Sequence, residues 1–102
     1  MNIGLFCAAG MSTSLLVAKM EQSAKAHGID ATIAAYPEAD LAKHLGELDV
    51  ALLGPQVAFR LDQDKQAGAA AGVPVDLIPM QVYGMMNGEK ALDIALALVA
   101  GK

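Results

Sequence analysis

The sequence predicts an α/β fold, a single four-stranded parallel sheet with helices on both faces. Four short apolar runs of strand length alternate with helical patterns, which is the signature of strand-helix-strand units and a parallel sheet. The apolar residues, 55% of the chain, include many alanines, two phenylalanines, two tyrosines and no tryptophan, a composition suited to helices lying close on a sheet. At 102 residues the chain has the common size of one domain, so residues 1–102 are expected to form a single unit with one buried core.

The elements follow in order. "NIGLF" at residues 2–6 reads as the first strand. From Ser12 the hydroxyl residues offer N-caps to a helix in which Leu16, Met20 and Ala24 recur every four residues, and Gly28 is the expected stop. "IDATIAAY" alternates as a second strand, and Pro37 opens a short helix over 38–45. "DVALLG" is a third strand. Pro55 then starts a helix with Val57, Ala58 and Leu61 on its inner face and Arg60, Asp62, Asp64 and Lys65 toward water, ending in the "GAAAG" turn. "VPVDLIP" supplies a fourth strand bounded by Pro74 and Pro79, and a last helix begins near Asn87 with Leu92, Ala95, Leu96 and Val99 on one face. Right-handed crossovers then put loops and sites at the carboxyl ends of the strands, where strand order reverses. An order 2-1-3-4 is expected, and it seats Gly54, Pro55 and Gln56 beside Cys7.

Composition excludes several classes. The mean hydropathy of +0.42 is high, yet no stretch reaches the roughly eighteen apolar residues of a spanning helix. "MNIGLFC" has neither a basic start nor a cleavage pattern, so it is read as mature structure in a cytoplasmic protein. A net charge of −4 and the lack of any Lys/Arg cluster argue against nucleic acid. A lone cysteine forms neither an intramolecular disulfide nor a cysteine-cluster metal site, and no metal or soluble cofactor is implied.

The chemistry concentrates in "LFCAAGMSTSLL". A loop between a strand and a helix N-terminus gathers unsatisfied backbone N–H groups and the positive end of the helix dipole, a fit for a phosphate-sized anion. The candidate cradle is Ala8, Ala9, Gly10, Met11, Ser12, Thr13 and Ser14, with Gly10 freeing the backbone and the hydroxyls adding donors. The same field favours a thiolate at Cys7, the candidate nucleophile and phosphoryl acceptor. On pattern alone, a buried small hydrophobe at Cys7 with a plain turn and cap behind it stands equally open.

Two related loops do not match. A Walker A loop needs lysine after its second glycine, and none follows Gly10. A cysteine-phosphatase loop needs C-x5-R-[ST], and Thr13 stands where that arginine belongs. Losing even one oxyanion donor typically costs on the order of 3 kcal/mol, so efficient hydrolysis is not expected, while transfer between partners is.

"LFCAAGMSTSLLVAKM", "DVALLGPQ" and the later "YG" resemble the IIB component of the lactose/cellobiose-type sugar phosphotransferase system over nearly the whole chain. The resemblance implies a four-stranded parallel sheet and a phosphotransferase in which Cys7 is phosphorylated by a phosphohistidine of the IIA component. The group then passes to a sugar bound in the membrane IIC component, a β-glycoside such as cellobiose, lactose or chitobiose. It further implies that residues 8–14 cradle the phosphoryl group. His27 and His44 are expected in surface or capping roles, and Asp62 and Asp64 on a solvated face with no carboxylate pair. Met80, Met85 and Met86 are read first as core filling, with a partner-facing rim shared with Gln56 and Tyr83 as the alternative.

Overall fold

The computed structural model describes residues 1–8 and 13–101. Strands β1 (Asn2–Cys7), β2 (Thr32–Pro37), β3 (Val50–Leu53) and β4 (Val75–Leu77) form one parallel sheet in the order β2-β1-β3-β4, as the sequence predicts. The register sets Cys7 against Pro37 on one side and Phe6 against Leu53 on the other. β1 is therefore central, and its last residue lies where the order reverses.

Helices α1 (Ser14–Ala26), α2 (Leu41–His44), α3 (Leu61–Ala71), α4 (Met80–Gly84) and α5 (Gly88–Ala100) surround the sheet. Alternation along β1 divides the core into two. Ile3 and Leu5 pack with Leu16, Met20, Ala24, Leu92 and Ala95 under α1 and α5. Phe6 packs on the opposite face with Leu41, Leu45, Leu53 and Val57. The four-residue spacing of Leu16, Met20 and Ala24 is thus the buried stripe of α1, and the helix ends as expected before Gly28, which takes φ 68.

Three local expectations change. The short second helix is a composite, with 3-10 turns at Glu38–Asp40 and Leu45–Glu47 flanking α2. Pro55 opens a 3-10 turn, Pro55–Arg60, in which Val57 leaves helical geometry (φ −115, ψ 24), and so Ala58 is exposed while Val57 is buried. An α-helical wheel does not apply across that kink. The stretch after Pro79 forms the five-residue α4 ahead of α5, so Met80 and Met85 are exposed, 76% and 80%, and only Val82 and Tyr83 turn inward. Met86 is half-buried against the core, the one methionine of the three that fills space as expected.

Asn87 caps α5, its Oδ1 accepting from the Lys90 N–H at 3.1 Å. Gly88 behind it lets α5 approach α1, because a Cβ there would overlap the Lys19 backbone carbonyl carbon and lie 2.6 Å from its oxygen. Among the described residues, no helix is long and apolar enough to cross a membrane.

Candidate functional site

Cys7 ends β1 fully buried, and the exposed Ala8 follows it, so the sulfur lies just beneath the surface at the carboxyl edge of the sheet. Thr13 returns to this point at the N-cap position of α1. Its side chain makes no cap hydrogen bond, and its hydroxyl Oγ1 instead lies 3.6 Å from Cys7 Sγ, with Thr13 itself fully buried. The hydroxyl that local sequence logic assigns to capping thus serves the thiol. Backbone capping remains in place through the Thr13 carbonyl, which accepts from the Val17 N–H at 2.9 Å. No acidic residue occupies the first turn of α1, which leaves its positive dipole end uncompensated by its own side chains.

Of the other predicted cradle residues, Ser14 is exposed and opens α1. Ala9, Gly10, Met11 and Ser12 lie outside the described residues.

The third strand arrives as the expected neighbour. The Gly54 N–H donates to the Phe6 carbonyl at 2.7 Å, extending the β1–β3 ladder past Leu53. A Cβ on Gly54 would stand 3.5 Å from Cys7 Cβ, which fixes the Gly54, Pro55 and Gln56 turn beside the cysteine. Pro55, Gln56, Met80, Tyr83 and Gly84 line a cleft of about 280 Å³. Gln56 is exposed there. Tyr83 is only 9% exposed, and its hydroxyl has no hydrogen-bond partner among the described residues, so it is a wall of the cleft and not the open rim offered as the alternative.

His27 is a surface residue at the C-cap of α1, as expected, whereas His44 is half-buried. His44 stacks on Tyr36 with ring centroids 3.8 Å apart, and Tyr36 in turn lies 5.4 Å from Phe6. The alternation that buries Phe6 draws this aromatic file onto the α2 side of the sheet.

The larger correction concerns Asp64, which is buried and not solvated. Its Oδ2 has no hydrogen-bond partner among the described residues, and its neighbour Glu38 accepts from Arg60 Nε at 3.1 Å through Oε2. Burial first, then the neighbouring Glu38 carboxylate, push the Asp64 carboxyl up to about 7, against the opposing pull of Arg60. This carboxyl pair escaped the sequence reading because its members are far apart in the chain and belong to different turns. Only the β2-β1-β3 order brings those turns together.

The site combines a cysteine at a strand end, a helix N-terminus turned toward it and a glycine-proline-glutamine turn beside it. Residues 2–94 match the family described as "PTS system, Lactose/Cellobiose specific IIB subunit". The chain is 50% identical over 98 residues to the galactose-specific EIIB component of Lactococcus lactis subsp. cremoris, covering 91% of each chain. It is equally 50% identical over 98 residues, with the same coverage, to the cellobiose-specific EIIB component of Lactococcus lactis subsp. lactis. The solution structure of the cellobiose-specific phosphotransferase IIB component from Borrelia burgdorferi superposes with a TM-score of 0.83 at 42% identity, over all of this chain and 94% of that one. A match of this extent in sequence and in fold is shared descent, and the chain belongs to the lactose/cellobiose-specific IIB family of the sugar phosphotransferase system, a family of phosphotransferases.

Proposed function

We propose that this chain is a cytoplasmic phosphoryl carrier, one domain over residues 1–102, in which Cys7 is the phosphorylated residue. The observation that carries the reading is the Thr13 hydroxyl at 3.6 Å from the Cys7 sulfur, at the N-terminus of a helix with no acid in its first turn. A hydroxyl donor and a helix dipole converging on one sulfur stabilise negative charge on it, which a nucleophile requires. Family membership supplies the reaction class.

In the first step the Cys7 thiolate attacks the phosphorus of a phosphohistidine on the IIA component. The S–P bond forms as the N–P bond breaks, and the imidazole nitrogen keeps the electron pair. In the second step a hydroxyl oxygen of the sugar held by the membrane IIC component attacks phosphorus. The S–P bond breaks, the thiolate is restored and the hydroxyl proton leaves to a base outside this chain. Residues 8–14 cradle the phosphoryl oxygens between the two steps through backbone N–H groups and hydroxyls, with no cofactor or metal of the chain's own.

A cradle of neutral donors suits a carrier, which must hold its cargo loosely enough to release it. The cargo's destination is a β-glycoside of the cellobiose, lactose or chitobiose kind. Two relatives equally similar to this chain are named for galactose and for cellobiose, which supports leaving the choice of sugar to the membrane partner.

The test is intact-mass analysis after incubation with a phosphorylated IIA protein of the lactose/cellobiose type, on wild type and Cys7→Ser, followed by peptide mapping. One phosphoryl mass on Cys7, absent from the variant, is the expected result. Phosphate uptake retained by Cys7→Ser would sink the assignment.

A further inference from the structure

The turn after β3 brings a side chain to the cysteine that the loop following β1 does not account for. The point where a Gly54 Cβ would sit is 2.7 Å from Gln56 Oε1, and 3.5 Å from both Cys7 Cβ and the Phe6 carbonyl oxygen. The carboxamide of Gln56 therefore fills the space left by the missing Gly54 side chain, folded back over the end of β1. Gly54 has φ −67 and ψ 156, angles any residue adopts, so glycine is needed here for room and not for conformation. Pro55 sets the direction of the turn, and Gln56 follows it. Folding an exposed glutamine inward gives up rotamer freedom worth up to about 2 kcal/mol, so a polar partner at that strand end gives the arrangement its reason.

We propose that the Gln56 carboxamide donates a hydrogen bond to the phosphoryl group on Cys7. The inference rests on the phosphocysteine reading above. A phosphoryl dianion carries acceptors only, and it extends outward from sulfur at the strand end over which Gln56 is folded. The carboxamide has one acceptor and two donors, and a half-turn about its last torsion exchanges oxygen for NH2. It binds without forming or breaking any covalent bond, and it adds a neutral donor from the β3 side to those that α1 supplies from the β1 side. A glutamate of the same shape would present only acceptors at neutral pH and would repel the dianion.

The experiment compares wild type, Gln56→Met and Gln56→Glu, each incubated with a phosphorylated IIA protein of the lactose/cellobiose type. Intact mass gives the rate of Cys7 phosphorylation, and a 31P NMR titration of the phosphorylated proteins gives the second ionisation of the phosphoryl group. Thermal unfolding of the three is expected to agree, since Gln56 is exposed. Phosphorylation is expected to slow ~10-fold in Gln56→Met and ~100-fold in Gln56→Glu. The phosphoryl ionisation should rise in both, further in Gln56→Glu, a shift that a purely structural role for Gln56 would not produce. Labelled wild type with both variants within about two-fold of its rate and an unmoved ionisation overturns the Gln56 role alone. Wild type that takes no phosphoryl group on Cys7 overturns the phosphocysteine reading and this inference with it.

Discussion

Thr13 occupies the position where a cysteine phosphatase places its arginine, and it is fully buried against the Cys7 sulfur. A guanidinium at that buried position would cost several kcal/mol unless it were paired. The informative change is Thr13→Val, which keeps the shape and removes the hydroxyl. Loss of one buried hydrogen bond costs about 1 kcal/mol, so the variant should fold with a small fall in Tm. Its Cys7 phosphorylation should slow ~10-fold if the hydroxyl supports charge on sulfur. Stopped-flow or quenched mass analysis of transfer, read beside thermal unfolding, checks this, and a rate equal to wild type would leave Thr13 a packing residue. At this scale Cys7 and Thr13 were legible because strand end and helix start are local patterns six residues apart. Gln56 was legible only as a neighbour through the strand order. That its side chain folds back over Gly54 is a tertiary fact that no spacing in the sequence encodes.

The elements were read mostly correctly where hydrophobic period and length agreed, as in β1, α1 and α5. They were misread where two short helices follow prolines. Pro55 sets a tight 3-10 turn in place of the expected wheel, so Ala58 is exposed, and after Pro79 the short α4 forms where core-filling methionines are expected, so Met80 and Met85 are exposed. A five-residue helix has one inward stripe, here Val82 and Tyr83, and its remaining apolar side chains have nowhere to go but the surface. The contact between α1 and α5 offers a test of packing at the same scale. Gly88→Ala gains about 1 kcal/mol in helix propensity, but the new methyl group meets Lys19 backbone, which cannot rotate away. Overpacking of this kind typically costs about 1–3 kcal/mol, so we expect a net loss of up to roughly 2 kcal/mol in chemical unfolding. A variant as stable as wild type would mean that α5 shifts freely on α1.

For the whole molecule, the strand order has a consequence that lies outside the phosphoryl site. Because β1 is central, the turns after β2 and β3 meet across it, and they carry Glu38 and Arg60, with Asp64 one helical turn further on. Burial and the Glu38 carboxylate favour a proton on Asp64, and Arg60 balances the Glu38 charge. Its folded value of about 7 lies above the ordinary 3.8, so the folded state binds the proton more tightly than the unfolded chain does. Stability from this group is full below about pH 4 and is lost as pH rises through 7, since a charged Asp64 would be buried beside another carboxylate. Between pH 5 and 8 the loss should amount to roughly 2–3 kcal/mol, the reverse of the usual behaviour of ion-paired carboxylates. Asp64→Asn keeps a donor for Glu38 and has no proton to lose, so it should flatten the pH dependence and raise Tm at pH 8. Urea unfolding of both proteins across this range decides the matter: parallel curves would remove Asp64 as the cause. The buried proton is then a property of the sheet's connectivity, because no one turn holds all three side chains and only the assembled order β2-β1-β3 closes the contact.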